Sequence, residues 1–173
     1  MDKIEIKEKE INENLVLYDA HIIFLEDCYV NGCVIAYRIE VKKRLTVNGF
    51  IRATSVIGGE GSITADRIIE AHDLSVGGDV SAYAIDVSNY IGVDGKVTSK
   101  TYIRSGRWIS VGKELKAGTF IAADEYIKAP VIVVGKGHKI FAGLSAREDE
   151  VQKQEIQASR VEGKIGYGKL KRI

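Results

Sequence analysis

The hydrophobic positions of this chain recur about every six residues from Leu45 to Ala142. Each repeat consists of a large aliphatic residue, a variable residue, and a small or β-branched residue. This interval does not fit a helix, because the apolar residues of an amphipathic helix recur at steps of about three and four. It fits a short strand followed by a corner, since the first and third side chains of a strand segment share one face.

Three such repeats form a turn of about 18 residues, and repeat units of this kind bury their apolar faces by stacking. The sequence therefore predicts an all-β, single-domain parallel β-helix, a three-walled β-solenoid with capped ends. The inward aliphatic residues are expected to form three columns. The columns are Leu45, Ile63, Val80, Val97 and Leu115 on wall one; Ile51, Ile69, Ile85, Ile103 and Ile121 on wall two; and Ile57, Leu74, Ile91, Ile109 and Ile127 on wall three.

The repeat is regular in one part of the chain and degenerate in the rest. We expect one domain over residues 1–173, with irregular N-terminal cap or rungs in 1–27, regular rungs in 28–142, and a loop and C-terminal cap in 143–173. The charged segment from Ala146 to Glu155 is predicted to be a loop or a short helix. Cys28 is predicted to point inward, where a free thiol packs as a small hydrophobic group.

Composition narrows the possible partners. The 25 Lys and Arg residues nearly balance the 24 Asp and Glu residues, which argues against direct nucleic-acid binding by electrostatics. No apolar run is long enough for a transmembrane helix, and the first residues lack the apolar core of a signal peptide. We expect a cytoplasmic protein with reduced cysteines. Two cysteines and His21 do not supply the usual zinc ligands, so we expect no metal and no cofactor.

The outward residues suggest a contact surface. Wall two carries Arg52, Glu70, Asp86 and Arg104 on successive turns, and the opposite charges on adjacent turns predict modest cross-strand ion pairs. Aromatic residues precede the inward aliphatic residue in several turns. They either cover the corners or form an apolar strip that binds a partner, since aromatic residues anchor many interfaces. The candidate partner-binding residues are Tyr90, Trp108 and Tyr126 beside wall three, and Phe50, Tyr102 and Phe120 beside wall two.

No catalytic motif is present around His21, His72 or His138. Hexapeptide acyltransferases resemble this chain in period, but their small residue precedes the aliphatic residue by two, whereas here it follows by two, as in Ile51-Arg52-Ala53. Polysaccharide-cleaving β-helices need acidic residues in a long groove, and these corners are too short to build one. We therefore expect that the chain is not an enzyme.

The aliphatic-x-Ala rhythm after glycine-rich corners, as in Gly78-Asp79-Val80-Ser81-Ala82, resembles the bactofilins, a family of polymer-forming β-helix proteins. The resemblance covers roughly residues 28–142. It implies a right-handed, three-walled β-helix that self-associates end to end without nucleotide. The chain departs from that family because it lacks Pro-rich tails and is expected to have capped ends. These departures favour a compact protein that binds a partner.

The sequence thus predicts a non-enzymatic β-solenoid that acts through protein–protein contact, as a homo-oligomer, a scaffold or a binder of another protein. Two alternatives stay open. One is a mobile-element or phage-encoded inhibitor of a host defence complex, such as an anti-CRISPR, because the chain is short and rigid. The other is a hexapeptide-type acyltransferase.

Overall fold

The chain folds as a coil of short parallel strands, in a computed structural model that describes residues 1–145 and 154–173. The coil has about nine turns of about 18 residues each, and its strands stack into parallel sheets. The predicted all-β solenoid is confirmed. Residues 146–153, which hold most of the segment predicted to be a loop or short helix, lie outside the described residues.

Wall one is a single nine-stranded parallel sheet. Most of its strands are three or four residues long, as expected for a strand that must end at a corner within each repeat. Its members are β2 (Glu10–Ile11), β4 (Cys28–Val30), β6 (Arg44–Val47), β8 (Ser62–Ala65), β10 (Val80–Ala82), β13 (Val97–Ser99), β16 (Glu114–Ala117), β19 (Val131–Val134) and β22 (Arg160–Glu162).

Walls two and three belong to one 15-stranded sheet, because long strands in the early turns run through both walls. In the later turns each wall has its own strands. Wall two holds β11 (Ala84–Val87), β14 (Ile103–Ser105), β17 (Ile121–Ala123), β20 (Lys139–Ala142) and β23 (Lys164–Tyr167). Wall three holds β12 (Ile91–Val93), β15 (Ile109–Val111), β18 (Ile127–Lys128), β21 (Glu155–Gln157) and β24 (Lys169–Lys171). The first strand of the chain, β1 (Lys3–Ile6), also belongs to wall three.

In four early turns a single long strand runs through both walls, where the six-residue repeat predicts a corner. These strands are β3 (Leu15–Phe24), β5 (Val34–Val41), β7 (Ile51–Gly59) and β9 (Ile68–Val76). A register shift absorbs the bend, for example between Ala53 and Val56, as in a β-bulge. At the β7 bend, Thr54-Ser55 is compatible with a continuous strand, whereas Gly106-Arg107 in a later turn favours a break.

The three predicted columns are present and in register. Leu45 pairs with Ile63 on wall one, Ile51 with Ile69 on wall two, and Ile57 with Leu74 on wall three. The pairing continues through the other members of each column, and all of these side chains are buried. Cys28 stacks on Leu45 and is buried, as predicted, and burial raises the pKa of its thiol.

Hydrogen bonds continue around the corners and also satisfy the few polar groups that point inward. The Asp66 amide donates to the Val47 carbonyl one turn earlier at 3.0 Å, and the Gly112 amide donates to Val93 at 2.8 Å. Buried Ser99 donates its hydroxyl to the Tyr83 carbonyl at 2.8 Å. A polar group can therefore occupy a column position if a corner carbonyl lies within reach.

Several corners accept only glycine because neighbouring turns approach closely. A Cβ atom at Gly118 would lie 2.0 Å from the Lys100 carbonyl oxygen one turn earlier, and one at Gly106 would lie 2.0 Å from the Ser88 oxygen. Both contacts are with backbone, so neither can be relieved by a rotamer change. By contrast, a Cβ atom at Gly92 would meet only the Trp108 ring at 3.7 Å, an ordinary van der Waals contact.

We predict that Gly118→Ala destabilises the protein by about 1–3 kcal/mol, because the added methyl group forces two turns apart. Gly92→Ala is the matched control, and we expect it to change stability by no more than about 0.5 kcal/mol. The measurement is the midpoint of urea unfolding followed by circular dichroism. Equal midpoints for the two variants would contradict the idea that corner spacing restricts residue choice.

Candidate protein-contact surfaces

The aromatic residues beside wall three form a continuous stack. The ring centroids of Tyr90 and Trp108 lie 4.6 Å apart at an interplanar angle of 13°, and those of Trp108 and Tyr126 lie 5.9 Å apart at 3°. The stack follows from the turn length, since equivalent corner residues of successive turns lie directly above one another. All three residues are half-buried, and burial is the main cause of the raised pKa of Tyr126.

The aromatic residues beside wall two form a shorter stack. Tyr102 and Phe120 lie 5.2 Å apart at an interplanar angle of 6°, and burial raises the pKa of Tyr102. Phe50 lies in an earlier turn, where the guanidinium carbon of Arg52 is 5.6 Å from its ring centroid, within cation–π range. The structure therefore brings five of the six candidate residues into two separate stacks and leaves Phe50 apart from them.

Stacking limits what the aromatic columns offer to a partner. Trp108 has one ring face against Tyr90 and the other against Tyr126, so only the edge of its ring is left for a partner. The Trp108 ring also reaches the outer face of wall three, where it lies 3.7 Å from the position that a Cβ atom of Gly92 would take. These rings already gain much of their burial within the chain, and partner binding at this edge stays a prediction.

The charged column on wall two forms one of the expected cross-strand pairs. Arg52 Nε lies 2.5 Å from Glu70 Oε2 on the next turn. Asp86 and Arg104 are register neighbours on adjacent strands, and Glu70 is the register neighbour of Asp86. Both members of the Arg52–Glu70 pair are partly exposed, so the pair contributes little to stability.

The N-terminal end of the solenoid is the edge of the ladder. Among the described strands, β1 pairs only with β3 and β2 pairs only with β4. The first half of β3 pairs only with β5. Their inward side chains continue the columns but are incompletely covered: Ile4, Ile11, Leu15 and Leu17 are all partly exposed. This end thus presents one unpaired strand edge on each wall around a rim of aliphatic side chains.

The C-terminal end has the same construction. In the part of the chain that the structure describes, β22, β23 and β24 each pair with one strand of the preceding turn. Ile165 and Leu170 stack on buried Ile140 and Ile156, but retain 37% and 38% of their exposure. A column residue within the body retains almost none, so these two side chains mark where the stacking stops.

The first and last described segments continue the ladder. In residues 1–27, where the sequence left a cap or rungs open, Ile4 and Ile6 pair with Ile22 and Phe24 as a wall-three strand. The charged residues Lys3 and Glu5 are exposed, as the alternation in Lys3-Ile4-Glu5-Ile6 indicates for a strand.

Comparison with protein-family models, curated proteins and solved structures finds no match for this chain. In the described residues, no three His, Cys, Asp or Glu side chains are grouped so as to hold a metal ion. Nor do these residues include a helix with the length and hydrophobicity needed to cross a membrane.

An ionic cluster of buried His21, half-buried Glu40 and exposed Lys42 lies on the early turns. His21 Nε2 lies 3.1 Å from Glu40 Oε2, and Lys42 Nζ lies 2.6 Å from the other oxygen of the same carboxylate. His21 is 6% exposed, and burial, assisted by the positive charge of Arg38, lowers its pKa below the ordinary 6.5 despite the attraction of Glu40. The hydrogen bond from Lys42 is the main cause of the lowered pKa of Glu40.

This cluster predicts a loss of stability on mild acidification. Because the folded pKa of His21 lies below its unfolded value, the unfolded chain binds the proton more readily, and stability falls as the pH drops below about 6.5. Glu40 stays ionised in this window because its own pKa is lowered. His21→Gln should therefore show a weaker loss of urea midpoint between pH 8 and pH 5 than the wild type. Exposed His72 provides the control, and His72→Gln should keep the wild-type slope.

Proposed function

We propose that this chain is a non-enzymatic β-solenoid that acts through protein–protein contact, and that the contact is self-association through its two ends. One observation carries the proposal: within residues 1–145 and 154–173, both ends present unpaired strand edges around partly exposed column residues. Each end resembles the surface that any internal turn would expose if the solenoid were cut there.

The physical gain from covering an end has two parts. Edge strands carry backbone N–H and C=O groups that are ready to pair with another strand, which is why exposed edges promote association. The column residues add a hydrophobic term, since full burial of a Leu or Ile side chain is worth roughly 1.5–3 kcal/mol. Ile165 and Leu170 have more than a third of that burial still to gain, and the aliphatic rim of the first turn offers a matching surface.

The ends are stronger candidates than the aromatic edge. Tyr90, Trp108 and Tyr126 already stack on one another, so a partner at this edge would bury less new surface and gain no strand pairing. The aromatic columns are better suited to holding the corners of successive turns in place. On the described residues, no geometric feature favours the phage-encoded inhibitor or the hexapeptide-type acyltransferase over contact between ends.

The test compares an end variant with an aromatic variant. Ile165→Gln/Leu170→Gln should weaken self-association at least about tenfold, equivalent to about 1.4 kcal/mol, because it removes the apolar surface of the last turn. Both residues are exposed enough that the fold should survive, which circular dichroism would verify. Sedimentation velocity over a range of concentrations gives the association constant.

Trp108→Ala/Tyr126→Ala is the matched control and should retain wild-type self-association. The proposal fails if the wild-type chain is monomeric at every concentration. It also fails if the aromatic variant loses association while the end variant keeps it, and that result would support the aromatic edge instead.

A further inference from the structure

Contact between ends can join unlike ends or like ends, and the charges of the two end turns differ in sign. Residues 1–14 contain five acidic and three basic side chains, a net charge of −2. Residues 159–173 contain five basic and one acidic side chain, a net charge of +4. All of these charged side chains are exposed. The two ends are therefore electrostatically complementary although the whole chain is nearly neutral.

The first turn has a concavity lined by both aliphatic and acidic residues. Its volume is about 450 Å³, and its lining residues are Ile6, Glu8, Glu10, Ile11, Asn12 and Glu13. Glu10 accepts a hydrogen bond from the Asn12 amide at 3.1 Å. A surface of aliphatic and acidic residues suits a partner that combines aliphatic and basic side chains.

The last turn has this combination. Lys164 adjoins Ile165 on β23, and Lys169 and Lys171 flank Leu170 on β24. Three basic residues have partners within the chain: Lys171 Nζ lies 3.3 Å from Glu155, Arg160 pairs with Glu162, and Arg172 donates a hydrogen bond to the Ser159 carbonyl. With these pairs in place, the turn still carries a positive net charge beside its exposed aliphatic residues.

We infer that a second copy of this chain docks head to tail, with the acidic first turn of one copy on the basic last turn of the next. This inference rests on the proposed self-association and adds its direction. A head-to-tail junction keeps the strands parallel, as they are in every strand pair within the chain. A junction of like ends related by a two-fold axis would make the strands antiparallel and place like charges opposite one another.

The direction determines how salt affects association. Exposed charges are screened over about 10 Å at 0.1 M salt, so a junction between opposite charges weakens as salt is added. A junction between like ends would strengthen, because salt would screen the repulsion. We expect the association constant to fall several-fold between about 50 mM and 500 mM NaCl.

Charge reversal at one end tests the inference directly. Glu8→Lys/Glu10→Lys/Glu13→Lys changes the first turn from −2 to +4, and Lys164→Glu/Lys169→Glu/Arg172→Glu changes the last turn from +4 to −2. Each triple variant has two ends of the same sign. Each should associate at least tenfold more weakly than the wild type when alone, and an equimolar mixture of the two should regain wild-type association.

The control makes the same charge change as the first variant, but on exposed side chains in the body of the solenoid. This control is Glu60→Lys/Asp66→Lys/Asp94→Lys, and it should leave association unchanged.

Three results would overturn the inference, and they separate it from the proposed function. If the wild type associates and each end variant alone associates equally well, the contact exists but is not head to tail. If wild-type association strengthens with salt, like ends meet. If the wild type is monomeric at every concentration and salt level, the proposed function fails as well.

Discussion

The spacing between hydrogen-bonded strands governs this protein. Successive turns lie about 4.8 Å apart, so every position in a turn has an equivalent position almost in contact with it above and below. An aliphatic side chain must then stack on an aliphatic side chain, as Ile85 does between Ile69 and Ile103. The same spacing brings corner carbonyls so close that Gly118 has no room for a Cβ atom. The core, the corners and the aromatic stacks are all consequences of this one distance.

Stacking between neighbouring turns does not by itself limit the number of turns in a solenoid. Each turn is stabilised by the turn before it and the turn after it, and the first and last turns lack one of these. Other repeat proteins solve this with a polar covering element. Here the first and last described turns keep the inward aliphatic residues of the body, with Leu170 on Ile156 as an example. In the described residues, the two ends therefore combine unpaired strand edges with incompletely covered column residues.

Much of the fold could be predicted because the repeat acts locally. Alternation within a triplet determines which side chains point inward, and the period determines which of them stack, so the columns from Leu45 to Ile127 and the inward Cys28 follow from the sequence. The joined walls of the early turns did not follow, because Thr54-Ser55 is compatible with either a corner or a bent strand. Stacking of Tyr90 on Trp108 was foreseeable from their spacing, but the interplanar angle of the two rings depends on side-chain packing, which only the fold reveals.

The overall composition does not reveal that the two ends of the solenoid carry opposite net charges. A net charge of +1 argues against an electrostatic contact when charge is treated as a single total. In a solenoid the chain order is also the order along the axis, so charges separated in sequence are separated in space by the length of the coil. The acidic residues near Glu10 and the basic residues near Lys169 therefore cannot neutralise each other within one molecule, since screening acts over about 10 Å. In the proposed head-to-tail contact they would do so between molecules, and the linear order that builds the core would give such an assembly its direction.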